Sequence, residues 1–173
     1  MKLVPVALLG LSLLLALVRP GLAQAPAARP PDYPPPLITA AEARAIIDGA
    51  IAFARDGKMI MAVVVLDTAG NVVASERMDG AAAQNIRMAE GKAYASALYR
   101  TTTQALSELY NTRPDRYFGI MNTYGAKVYL VGGGVPLAID GKLVGGVGVA
   151  GLAQFEDEHA ARAGIAAWEK VRK

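Results

Sequence analysis

Arg77-Met78-Asp79-Gly80 and Lys92 are the residues of this chain whose types and spacing could do chemistry. A guanidinium and a carboxylate two residues apart, at the end of an apolar segment, can pair with each other. The guanidinium can instead grip a carboxylate through two parallel hydrogen bonds. Lys92 sits among Ala89, Ala93 and Tyr94, where an ammonium needs a partner or an exit to solvent. Arg77, Asp79 and Lys92 therefore line a pocket for an anionic ligand or form a structural salt bridge, and the residue types allow both. His159 is the one histidine. It could ligate a metal, oriented by Glu156 three residues earlier, or stand half open to solvent on the first turn of the last helix. Glu156-Asp157-Glu158 has the look of an acid–base pair, but carboxylates at a helix start also complement its dipole.

Other chemistries are excluded by what is missing. There is no cysteine, hence no disulfide framework, thiol nucleophile or thiolate metal site. Ser75, Ser96 and Ser107 lack glycine-flanked elbows, so no serine hydrolase is expected. Lys and Arg are scattered without aromatic interleaving, so no nucleic-acid partner is expected.

Residues 1–23 read as a secretory signal peptide. Lys2 supplies the positive start, Val6 to Val18 the apolar run, and Gly21-Leu22-Ala23 the small residues before cleavage. The run is short of the roughly 20 residues of a membrane span; a retained anchor is the alternative. The expected location is periplasmic or secreted, with no membrane attachment after cleavage. Lys2 and Arg19 leave with the signal, so 18 basic residues fall to 16 against 15 acidic ones. Residues 24–36 form a Pro-rich linker, and 37–173 is one domain's worth of chain.

Within that domain, Thr39-Ala40-Ala41-Glu42 is a capping box that starts a helix with an apolar stripe through Ala43, Ile46, Ile47, Ala50, Ile51 and Ala54, ended by Gly57. Met59 to Leu66 is an unbroken apolar run, the pattern of a strand covered on both faces. Asp67 to Asn71 is a turn into a return strand, Val72 to Arg77. Helices are expected from about Ala82 to Tyr99, from Thr103 to Tyr110, and from Phe155 to Val171. Pro114 to Tyr124 reads as irregular. Lys127–Val131, Val135–Ile139 and Lys142–Val149 read as strands. Short links between strands make the sheet antiparallel, an α+β fold with helices covering it.

Eight of the 18 glycines fall between Gly132 and Gly151. Asp140-Gly141 between two apolar runs is a hairpin turn signature. Gly146-Val147-Gly148-Val149-Ala150-Gly151 matches a dinucleotide fingerprint literally, but only 22 residues follow it, too few for the βαβ unit that motif requires. The glycines instead let something approach closely: a flat ligand, a helix or another subunit.

With these pieces placed, the chain resembles the GlcG/HbpS family of haem-binding-type domains, which also supplies the C-terminal part of the PduO adenosyltransferase. The resemblance rests on Arg77-Met78-Asp79-Gly80-Ala81, Gly91-Lys92-Ala93-Tyr94, Gly133-Gly134-Val135-Pro136, Val144 to Gly151, and Asp157-Glu158 with Ala161-Arg162-Ala163-Gly164. It implies a profilin-like α/β/α sandwich with a five-stranded antiparallel sheet, homo-oligomers, and binding of haem or a related tetrapyrrole. The family's Val-Ser-Gly is Val149-Ala150-Gly151 here. On this reading Gly133 and Gly134 help admit the ring, Arg77 or Lys92 meets a propionate, and His159, Met78 or Tyr94 is the axial ligand. Two other readings stay open. One is an enzyme that holds a small organic acid at Arg77 and moves a proton with Asp79 or Lys92. The other is a non-catalytic assembly module.

Overall fold

A computed structural model describes residues 38–151 and 154–172; the expected signal peptide and Pro-rich linker lie outside them. Helix α1 (Ala40–Asp56) starts at the capping box. The Glu42 amide donates to Thr39 Oγ1 at 3.2 Å, and the Thr39 amide donates to the Glu42 carboxylate at 2.8 Å. The buried stripe of α1 packs on α6 (Gln154–Val171), whose Trp168 is fully buried and donates its indole N–H to Glu42 Oε1 at 3.3 Å. Among the described residues no helix is long and apolar enough to cross a membrane.

Glu42 thus joins the start of α1 to the end of α6. Its partial burial raises the carboxyl pKa. The Thr39 amide and hydroxyl, the Trp168 indole and the Arg172 guanidinium outweigh that and hold it below the usual value. A carboxylate depressed on folding stabilises the protein above its unfolded pKa and loses that contribution as pH falls through the folded one. Glu42→Gln is expected to cost about 1 kcal/mol at neutral pH. The gap to the parent should close as pH drops below 4.5. Urea midpoints at neutral and acid pH check this; a gap independent of pH contradicts it.

The described strands form one antiparallel sheet in the order β2-β1-β4-β3. Strand β1 (Ala62–Asp67) alternates between two cores. Val63 and Val65 face α1 and α6, while Ala62, Val64 and Leu66 face α2 (Asn85–Tyr99). Both faces are covered, which is why the run carries no polar alternation. Asp67 Oδ1 accepts the Ala69 and Asn71 amides, each at 2.9 Å, and so turns the chain into β2 (Val72–Arg77). Strands β3 (Gly134–Ile139) and β4 (Lys142–Ala150) meet at Asp140-Gly141, where φ values of 50° and 74° make the two-residue hairpin.

Three expectations are corrected. The sheet has four strands, not five. Lys127–Val131 is not a strand: it begins in a 3-10 turn (Gly125–Lys127), and the Tyr129 amide then donates to the Gly91 carbonyl of α2 at 3.2 Å. Val128 and Leu130 plug a core against α2 rather than extending the sheet. Pro114–Tyr124 is a helix, α5, with Pro114 in its first turn and Asp115 beside it. Before it come α3 (Thr103–Ser107) and α4 (Leu109–Thr112), the expected second helix in two pieces.

The glycines of β4 find their occupant here. Val147 and Val149 point into the core of α1 and α6, so Gly146 and Gly148 face α2. A Cβ on Gly148 would strike the Ala89 carbonyl oxygen and lie 2.6 Å from the Ala93 nitrogen; one on Gly146 would strike the Ala93 carbonyl oxygen. The backbone of α2 therefore fills the space these glycines leave, and no planar ring enters between them.

Candidate functional site

Lys92 leaves the middle of α2 and ends at Asp157 in the first turn of α6. Its Nζ donates to Asp157 Oδ2 at 2.7 Å and to the Val149 carbonyl at 2.8 Å, with the Tyr129 ring centroid 6.0 Å away. The two side chains are 1% and 4% exposed. Burial lowers the Lys92 pKa, and the charge and hydrogen bond of Asp157 recover part of the loss. Gly133, at φ +119°, makes the packing possible: a Cβ there would sit 2.7 Å from Asp157 Cβ and 3.0 Å from Nζ. The next amide, Gly134, donates to the buried Thr103 Oγ1 at 2.8 Å. Lys92, Gly133 and Gly134 do converge, but as a sealed joint that ties α2 to α6 around the start of β3. In this structure a propionate or a small acid in solvent does not reach Lys92. Of the two readings of Lys92, the structural ion pair is the one seen, with Asp157 rather than Asp79 as partner.

Arg77, Met78 and Asp79 line a different cleft, about 280 Å³, with Arg55 and Glu76. Arg77 does not pair with Asp79; one of its guanidinium nitrogens donates to the Ala81 carbonyl and braces the turn out of β2. Met78 packs against the core of α1. His159 stands on the outer face of α6, its side chain 64% exposed and its Nδ1 3.9 Å from Glu156 Oε2. Among the described residues no three His, Cys, Asp or Glu side chains cluster as a metal site, so Glu156 is not joined by a further side chain of these types at His159.

Tyr94 is the predicted residue that lines a sizeable cleft. The cleft, about 420 Å³, lies between the β1–β2 turn, α2 and the 3-10 turn. Leu66, Ala69, Gly70, Gly91 and Ala126 give it apolar and Cβ-free wall, and Asn71, Arg87, Glu90 and Lys127 bring polar groups. Tyr94 is half-buried, packs edge-on to Tyr124 at 6.4 Å between centroids, and its hydroxyl has no protein hydrogen-bond partner among the described residues. Arg87 pairs with Glu90 at 3.1 Å on the surface, an exposed contact that exchanges readily for another anion. Lys127 is exposed and has no ion pair among the described residues. The arrangement suits a flat, partly apolar, anionic molecule with one atom that a phenol can meet.

Residues 38–166 match the family model described as haem degrading protein HbpS-like, and the chain belongs to that family. A protein of Citrobacter freundii, described as an uncharacterised 15.0 kDa protein in the dhaT-dhaS intergenic region, is 29% identical over 114 residues, covering 66% of this chain and 80% of that protein. Among solved structures, the PduOC:haem complex superposes with a TM-score of 0.69 at 27% identity, over 75% of this chain and 94% of that one. HbpS superposes with a TM-score of 0.67 at 29% identity, over 75% and 88% of the respective chains. The family, and the antiparallel sheet between helical layers, are thus as the resemblance implied.

Sequence reading placed Asp157 in an acidic helix start and in the family motif but did not pair it with Lys92, although the need of Lys92 for a partner was the signal. It also missed Asn71, Arg87 and Lys127, cations and an amide on three separate elements that only the fold brings together.

Proposed function

We propose that this chain is an exported protein that binds haem or a related tetrapyrrole, and that the ligand seats in the Tyr94 cleft. The observation that carries the reading is the cleft's donor set. A half-buried phenol with no protein hydrogen-bond partner shares one space with apolar wall and two basic rim residues. The volume falls in the roughly 300–1,000 Å³ range of small-molecule and cofactor sites. A tetrapyrrole needs an apolar wall for its ring, cations for its propionates and a ligand for its metal. The wall is Ala69, Ala126 and the Cβ-free Gly70 and Gly91, the cations are Arg87 and Lys127, and Tyr94 is the ligand, since a tyrosine phenolate is a known haem ligand. Haem in the PduOC relative and the family's own description support the same class of ligand. Bound haem would supply a redox-active iron. The protein's part is to hold the ring, balance its carboxylates and offer the phenol. Export rests on residues 1–23.

The test is a haemin titration of the purified protein, followed at the Soret band. A saturable band distinct from free haemin is expected. Tyr94→Phe should weaken binding by more than the roughly 10–100-fold that loss of a supporting partner costs at a metal site. His159→Ala and Arg77→Ala should leave the band unchanged. Loss of the band in His159→Ala with Tyr94→Phe unaffected would move the ligand off this cleft.

A further inference from the structure

Arg55, Arg77 and Asp79 share the cleft of about 280 Å³ at the end of β2, and no residue lines both it and the Tyr94 cleft. Two of its charged groups stand ready for a ligand. The Arg55 side chain, in the last turn of α1, has no hydrogen bond or ion pair among the described residues, and neither has the Asp79 carboxylate. Glu76, on the same wall, is already held by Arg44, which also pairs with Asp48 at 2.9 Å. The cleft is thus left with two guanidiniums facing one carboxylate.

Arg77 is set in place beforehand. The Met78 amide donates to the Met61 carbonyl at 3.0 Å, and the Ala81 amide donates to the Met78 carbonyl at 3.0 Å. Gly80 closes that turn at φ +82°, the positive φ that a type II turn has at its third residue. The Arg77 guanidinium then donates to the carbonyl of the buried Ala81. One N–H of its five is used there, and the others remain for a ligand. A side chain ordered in advance loses less freedom when the ligand arrives.

We propose that this cleft binds a small aminodicarboxylate, an acid with two carboxylates and one ammonium group. The charges match one for one. Arg55 and Arg77 each take a carboxylate, Asp79 takes the ammonium, and half-buried Met78 lies along the methylenes between them. A plain dicarboxylate or a phosphate leaves Asp79 facing like charge, which selects against it. A monocarboxylic amino acid leaves one guanidinium unmatched. The volume falls below the roughly 300–1,000 Å³ of drug-sized ligand sites, which suits a small acid and not a second tetrapyrrole. The charged groups stay open to water, so binding should weaken as salt rises.

The test is isothermal titration calorimetry of the purified protein with L-aspartate and L-glutamate. Succinate and glutarate, which lack the ammonium, are the comparison. Saturable binding of one of the amino acids is expected, with its dicarboxylate at least tenfold weaker. Arg55→Ala removes an exposed side chain that has no protein partner. It should weaken binding at least tenfold and leave the thermal melt unchanged. Asp79→Asn removes the repulsion and the ammonium's partner together, so the preference for the amino acid should vanish or reverse. No saturable binding of either amino acid at millimolar concentration overturns the proposal. So does equal binding of the dicarboxylates by the parent, a preference that survives Asp79→Asn, or binding indifferent to Arg55→Ala. The haemin titration reads the Tyr94 cleft separately, so either site can fail without the other.

Discussion

Lys92→Met is expected to lower the unfolding free energy by about 3–5 kcal/mol, the cost of removing one partner from a buried ion pair. The substitution fits the space but takes the ammonium from Asp157 and the donor from the Val149 carbonyl, both inside the protein. Out of a typical total of about 5–15 kcal/mol, that is a large fraction of the stability. Lys92→Met/Asp157→Leu should recover most of the loss, because two apolar side chains of similar size replace a buried pair at little net cost. Urea unfolding of the three proteins measures both effects. The pH dependence has a definite sign. Burial lowers the Lys92 pKa from 10.5, so the unfolded chain binds the proton more tightly. Stability contributed at this site therefore rises with pH between the lowered native value and 10.5, and the rise is absent in Lys92→Met. Equal stability of parent and Lys92→Met would mean the pair is not the joint described.

Gly148→Val is expected to destabilise nearly as much as Lys92→Met. Its Cβ would enter the Ala89 carbonyl and the Ala93 nitrogen, which are helix backbone and do not rotate away as a side chain does. Helix α2 must lift from the sheet, which costs about 3 kcal/mol or more, the upper end of overpacking penalties. Gly119→Ala is the counterpart. That glycine lies in α5 with no atom within 4 Å of an added Cβ, so alanine should stabilise by roughly 0.5–1 kcal/mol through lost chain entropy. Thermal melts of the two variants should move in opposite directions; a tolerated Gly148→Val would mean the helix does not rest on the glycine face.

The contrast between these two glycines shows where sequence reading works. Period and caps are local, so α1, the two-faced β1 and the Asp140-Gly141 turn were legible residue by residue. The strand-like Lys127–Val131 was misread because composition does not say what an amide bonds to, and Tyr129 bonds to a helix. Helix α5 carried its signals, Pro114 at the start and Gly125 at the end, but Gly119 and the exposed rings break the apolar period between them. The glycine hairpin announced a close approach without naming what approaches; the Cβ positions identify α2. The site was less legible still. Lys92 was grouped with Arg77 and Asp79, which line a different cleft, whereas it meets Gly133 and Gly134 in a sealed joint. Of the residues expected to touch a ligand, Tyr94 lines the cleft proposed for it, because its neighbours there come from Leu66, Asn71 and Lys127, dozens of residues apart.

The most direct test of the cleft is paramagnetic mapping. Amide resonances of isotope-labelled protein are recorded with and without one equivalent of ferric haem, whose iron broadens nearby signals. Gly70, Asn71, Gly91, Tyr94 and Lys127 are expected to broaden together, while Arg77, Asp79 and His159 keep their intensity. Broadening centred on His159, or on Arg77 to Asp79, with the Tyr94 cleft untouched, would contradict it.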